Sequence, residues 1–119
     1  MGSVGTGAFG TFGDAKRYDI ERCIRELPEI ELQEVAHSEY YRSEGAVPDI
    51  FTAVYVSEKT KNGRLQVLIT DDDIEIGLLP SEYNYLLTCL SKGHRYTGTI
   101  IYSENMHFPK IVVKLDAKQ

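Results

Sequence analysis

The feature that most constrains this chain is Asn62-Gly63, which sits between two runs of β-branched and aromatic residues. Phe51–Ser57 (FTAVYVS) and Arg64–Thr70 (RLQVLIT) both have the composition of strands. Asn-Gly fills the two positive-φ positions of a tight hairpin at least cost, so the two runs are predicted to pair antiparallel. Leu65, Val67 and Ile69 then share one face. Asp71-Asp72-Asp73 reads as a second turn and Ile74–Leu78 as a short strand with Ile74 and Ile76 on one face. Beyond it the period changes. Pro80 and Ser81 open a helix, and Tyr83, Leu86, Leu87 and Leu90 give it an apolar stripe. Lys92 and Gly93 close that helix. Arg95–Tyr102 and Pro109–Leu115 are further strands, with Gly98 marking a bulge or a close approach. Residues 46–119 are thus expected to form a compact, mostly β module built around a strand–helix–strand unit, Ile74 to Tyr102. The predicted class is α+β, mainly β with one or two helices. The predicted architecture is a small five- or six-stranded bent sheet or partly open barrel.

The N-terminal part is less regular. Met1–Gly13 holds five glycines and two isolated aromatic residues, Phe9 and Phe12. Glycine loses the most entropy on ordering and has no side chain to bury, so residues 1–15 are predicted to be a flexible tail. Phe9 and Phe12 are its candidate partner-binding residues. Residues 16–119 are predicted to be a single globular domain. Ile20, Ile24 and Leu27 have helical spacing, although Ile20, Arg22 and Ile24 also alternate as in a strand. Pro28 breaks whatever precedes it. After it, Leu32, Val35, Ala36 and Tyr40 fit a helix whose first turn would carry Glu29, Glu31 and Glu34; a strand over Val35–Tyr41 is the competing reading.

Charge and motif content exclude several functions. A net charge of −5 argues against non-specific binding along a nucleic-acid backbone, though not against one local basic recess. The segment Gly5–Phe12 (GTGAFGTF) matches a kinase-type glycine-rich loop only on paper, because the catalytic aspartate motifs of kinases are missing. The Met1-Gly2 to Thr6 pattern is that of N-myristoylation, but it is short and unspecific. Asp71-Asp72-Asp73 lacks the spaced oxygen ligands that Ca²⁺ requires. His37, His94 and His107 lie in separate segments without metal-ligand spacing. No nucleophile elbow or spaced carboxylate pair is present, so a non-enzymatic protein with no cofactor and no metal is expected. Two distant cysteines, Cys23 and Cys89, do not make a disulfide framework and fit a reducing cytosol. With no run of ~18 apolar residues and no apolar signal region, the expected location is cytoplasmic.

Tyrosine is the over-represented aromatic, with eight copies against no tryptophan. Tyrosines pack amphipathically in cores, but they also stack on unpaired bases or anchor interfaces. Arg42, Lys61 and Arg64 are among the cations that accompany them.

The stretch Ile76-Gly77-Leu78-Leu79-Pro80-Ser81-Glu82, then Leu86–Leu90, Lys92-Gly93 and Tyr96-Thr97-Gly98-Thr99-Ile100, resembles the second half of HIRAN domains. Tyr40-Tyr41 followed by Gly45 is similar to a Tyr-Tyr element early in some of them. The resemblance implies an OB-like barrel of the kind found beside helicases and nucleases, in some cases binding the 3′ end of single-stranded DNA. It would place Tyr40 and Tyr41 in a base pocket. Arg42 beside them, and Lys61 and Arg64 as phosphate contacts, complete the candidate nucleic-acid-binding residues. Glu39 stands where DNA-binding members carry arginine, and Lys59–Arg64 replaces their Asn-Pro-containing element. The expected function is accordingly an accessory domain that recognises a single-stranded nucleic-acid end or a helicase- or nuclease-type partner. The alternative is a protein–protein interaction subunit that docks through its Gly/Phe-rich tail.

Overall fold

The computed structural model describes residues 19–105 and 107–118. The tail with Phe9 and Phe12 therefore lies outside the described residues. The hairpin forms where the sequence places it. Strands β2 (Ala53–Lys61) and β3 (Arg64–Ile69) are joined by Asn62 and Gly63, at φ 54° and 76°. Two left-handed residues in succession match the right-handed twist of the strands they connect. Leu65, Val67 and Ile69 are buried and alternate with half-buried Arg64, Gln66 and Leu68. The aspartate turn follows, closed by Asp73 N–H donating to Ile69 O, and leads into β4 (Glu75–Leu78).

Three helices and three more strands complete the framework: α1 (Ile20–Cys23), β1 (Leu27–Glu31), α2 (Glu39–Glu44), α3 (Leu86–Ser91), β5 (Arg95–Glu104) and β6 (Lys110–Lys118), with short 3₁₀ turns at Val35–His37 and Ser81–Tyr83. The six strands form one antiparallel sheet in the order β1-β6-β5-β2-β3-β4. The predicted class and architecture thus hold: mainly β, six strands, bent and not closed. One buried cluster, from Cys23 to Leu115, includes residues of all six strands and of α3. Gly98 is a close approach, since a Cβ there would fall 1.7 Å from Lys114 O on the neighbouring strand.

The sheet bends until its two edges touch at one place. Gln33, just beyond β1, exchanges two hydrogen bonds with Leu78 at the end of β4 (2.8 and 2.9 Å). Gly77 makes room for this seam, because a Cβ on it would lie 3.0 Å from Leu32 Cβ.

The N-terminal expectations need correction. The predicted helix after Pro28 is instead strand β1, a 3₁₀ turn and the six-residue α2. Pro28 does not break this segment, because β1 is an edge strand and the register with β6 shifts between Leu27 and Ile30. An edge bulge is where a residue without an N–H is tolerated. The helix opened by Pro80 is shorter than its stripe suggests. Residues 81–83 are 3₁₀, and α3 buries Leu86, Cys89 and Leu90 while Leu87 is exposed. The reading of two unpaired thiols is overturned: Cys23 and Cys89, with Cα atoms 5.6 Å apart, form a disulfide that joins α1 to α3. Loop folding brought together cysteines that are 66 residues apart, a distance that hides such a pair from any spacing rule.

Candidate functional site

The five residues predicted to meet nucleic acid occupy two neighbouring elements. Tyr40, Tyr41 and Arg42 lie on α2, which starts at its cap Ser38; Ser38 Oγ accepts from Tyr41 N–H at 3.1 Å. Lys61 and Arg64 flank the turn of the β2–β3 hairpin. The fold brings Lys61 to the first turn of α2, but its ammonium is already engaged. It donates to Glu75 Oε1 at 2.9 Å and to His37 O at 3.4 Å. The same carboxylate oxygen accepts from Glu39 N–H at 3.1 Å, which fastens α2 to β4. Glu75 Oε2 is buried with no hydrogen-bond partner among the described residues. Arg64 is engaged too, forming a salt bridge with Glu34 and a hydrogen bond with Gln33.

The tyrosines are similarly committed. Tyr40 packs its ring against the core, and burial, followed by the charges of Glu44, Asp49 and Asp72, pushes its hydroxyl pKa up. Tyr41 is half-buried and Arg42 exposed. Tyr55 donates to Asp73 at 2.6 Å, a bond that pushes its pKa up to about 12. Tyr96 is buried and donates to Cys23 O at 2.6 Å. Arg22 covers the Tyr85 ring at 3.7 Å, and Lys110 lies 5.6 Å from the Tyr102 ring centroid. The charges that act on Tyr40 are acidic, and Lys61 and Arg64 are neutralised by carboxylates. Phosphate contact by Lys61 or Arg64 would require these bonds to be replaced.

A feature that sequence reasoning misses lies at the turn before β2. Thr52 N–H and Oγ1 both donate to Asp49 O, so Ile50 and Phe51 are the corner residues of a turn. Phe51 has φ 69° and is 76% exposed. Left-handed backbone is the preserve of Gly, Asn and Asp at such corners, and a bulky side chain there is strained. Phe51 N–H donates to Ile100 O at 2.7 Å, while Ile100 N–H donates to Thr52 O at 3.0 Å, so two residues oppose one. A second irregularity on β5, between Ile100 and Tyr102, leaves Ile101 exposed beside this corner. Read as sequence, Phe51 is the first residue of a strand. The Asp49 that precedes the pair is the signal that a turn comes first.

Among the described residues, no group of three or more His, Cys, Asp or Glu side chains is placed to hold a metal ion. Nor is any helix among them long and apolar enough to cross a membrane. No protein-family model, curated protein or solved structure matches the chain.

Proposed function

We propose that this chain is a non-enzymatic binding module whose partner is a protein, engaged through the corner Ile50-Phe51 with Ile101 beside it. The observation that carries this reading is Phe51, a large apolar ring held in a strained conformation and exposed to water. Strain of about 1–3 kcal/mol at an exposed site has no return within the fold itself, and such outliers gather at ligand contacts. The neighbouring charge also favours a protein. Asp49 opens the turn that carries Phe51, and with Glu44 and Asp72 it raises the hydroxyl pKa of Tyr40; acidic groups repel phosphate. Likeness to HIRAN domains over Ile76–Ile100 supports a binding role. Recognition of a nucleic-acid end would need Lys61 and Arg64 to leave their carboxylate partners.

A photo-crosslinking amino acid in place of Phe51 tests the reading in cells. Adducts with protein at position 51, and none at the exposed control Ser91, are expected. Adducts with nucleic acid, or tight binding of a short labelled oligonucleotide at low salt, would overturn it.

A further inference from the structure

The seam of the sheet is the second place where the fold leaves something undone. Gln33 and Leu78 are a hydrogen-bonded antiparallel pair. Continuing that register two residues along each strand sets Glu31 opposite Pro80. Proline has no N–H to give, and the chain turns away there into the 3₁₀ turn Ser81–Tyr83. The two edges therefore part. Leu32 N–H donates inward to Ile111 O, so by the alternation of an antiparallel ladder the N–H and C=O of Glu31 point outward into the gap. No backbone partner for them exists among the described residues.

The gap is a groove of about 420 Å³. Its walls are β1 with Gln33 on one side and Pro80, Glu82 and Tyr83 on the other. Glu29, Glu31 and Glu82 are its charged lining residues, and no Lys or Arg is among them. An open strand edge is a template for another strand.

We infer that the seam accepts an extended, lysine- or arginine-rich segment of a partner protein as an added strand between β1 and Pro80–Tyr83. The main-chain groups of Glu31 supply the ladder bonds, and the three glutamates select cationic side chains. A second copy of this chain is a poor occupant. Pairing two β1 edges would bring Glu29 and Glu31 against their own like charges, which is destabilising across strands. Nucleic acid is excluded by the same charges. The seam is separate from the Phe51 corner, so this inference does not rest on the proposed function.

The test is titration of the isotope-labelled full chain with an acetylated, amidated hexapeptide of alternating lysine and valine, followed by amide chemical shifts. Shifts are expected at Glu29 and Ile30–Gln33 and at Ser81–Tyr83. Glu31→Lys should weaken binding about tenfold or more, and a peptide N-methylated along one edge should fail to bind, since strand addition relies on main-chain hydrogen bonds. Ser91→Ala, at the exposed end of α3 and outside the groove, should bind the peptide unchanged. Absence of shifts at roughly millimolar peptide, shifts confined to other surfaces, or equal binding of the N-methylated peptide would each overturn the inference.

Discussion

The chain from Ala53 to Lys118 and the chain from Ile20 to Glu44 are held in place by different means. The first is mostly a ladder of sequential hairpins, β2–β3–β4 and β5–β6, whose partners are close in sequence. The second contributes one edge strand and the Gln33–Leu78 seam, and is otherwise fastened by individual side chains to distant residues. Its fastenings are the Cys23–Cys89 disulfide, the Tyr96 hydroxyl on Cys23 O, Glu75 on Glu39 N–H, and Arg64 on Glu34. A ladder shares its load over many bonds, so single losses are absorbed. Point fastenings fail one at a time, and the outer segment should respond to each separately.

The largest effect expected is on the ladder, at the one position where it has no slack. Gly98→Val places a Cβ where Lys114 O already lies. The β5–β6 pairing must then separate at its centre, and a loss above about 4 kcal/mol is expected, enough to unfold a marginal domain. Circular dichroism of the purified variant should show no cooperative transition.

Next comes the disulfide. It closes a loop of 66 residues, which in the chain-entropy account contributes about 4 kcal/mol. Replacing both cysteines by serine should lower the melting temperature, and reduction of the parent should lower it comparably. Hydrogen exchange sharpens the comparison between the two regions: amides of Leu27–Gln33 should lose protection first, while those of Val54–Ile69 keep theirs. Equal loss in both would mean that the outer segment is part of one cooperative unit.

Lys61→Met breaks a smaller fastening asymmetrically. The Lys61 side chain is 32% exposed but that of Glu75 only 5%. Removing the lysine strands a buried carboxylate, whereas removing the carboxylate leaves a cation that can turn to water. Lys61→Met should therefore cost about 2–3 kcal/mol and Glu75→Gln less, in chemical denaturation at neutral pH. The reverse order would show that the buried carboxylate is not stranded by the loss of Lys61.

The same contrast explains what could be read from the sequence. Asn62-Gly63, the alternation of Leu65, Val67 and Ile69, and Gly98 all report on neighbours a few residues away or on the strand's own backbone, and local pattern finds them. β1 does not announce itself, because its meaning comes from β6, more than 80 positions later: Leu27 faces Leu115. Cys23 and Cys89 are hidden for the same reason. At the candidate sites, residue types were visible and their commitments were not. Lys61 and Arg64 look like free cations until the fold sets Glu75 and Glu34 beside them. Phe51 looks like strand hydrophobicity until the turn at Asp49 turns it outward.

The smallest expected effect has the opposite sign. Phe51→Gly replaces an exposed aromatic at φ 69° by the residue that tolerates this backbone. The ring is 76% exposed and contributes little burial, so relief of strain should outweigh the extra entropy of the unfolded glycine. A gain of about 0.5–1 kcal/mol in urea unfolding is expected. Partner crosslinking through a probe at Ile50 should fall in the same variant. Stability gained as binding is lost is what separates a residue kept for contact from one kept for folding. If Phe51→Gly instead lowers stability, the ring packs on its own domain, and the corner belongs with the ladder and not with the interaction surface.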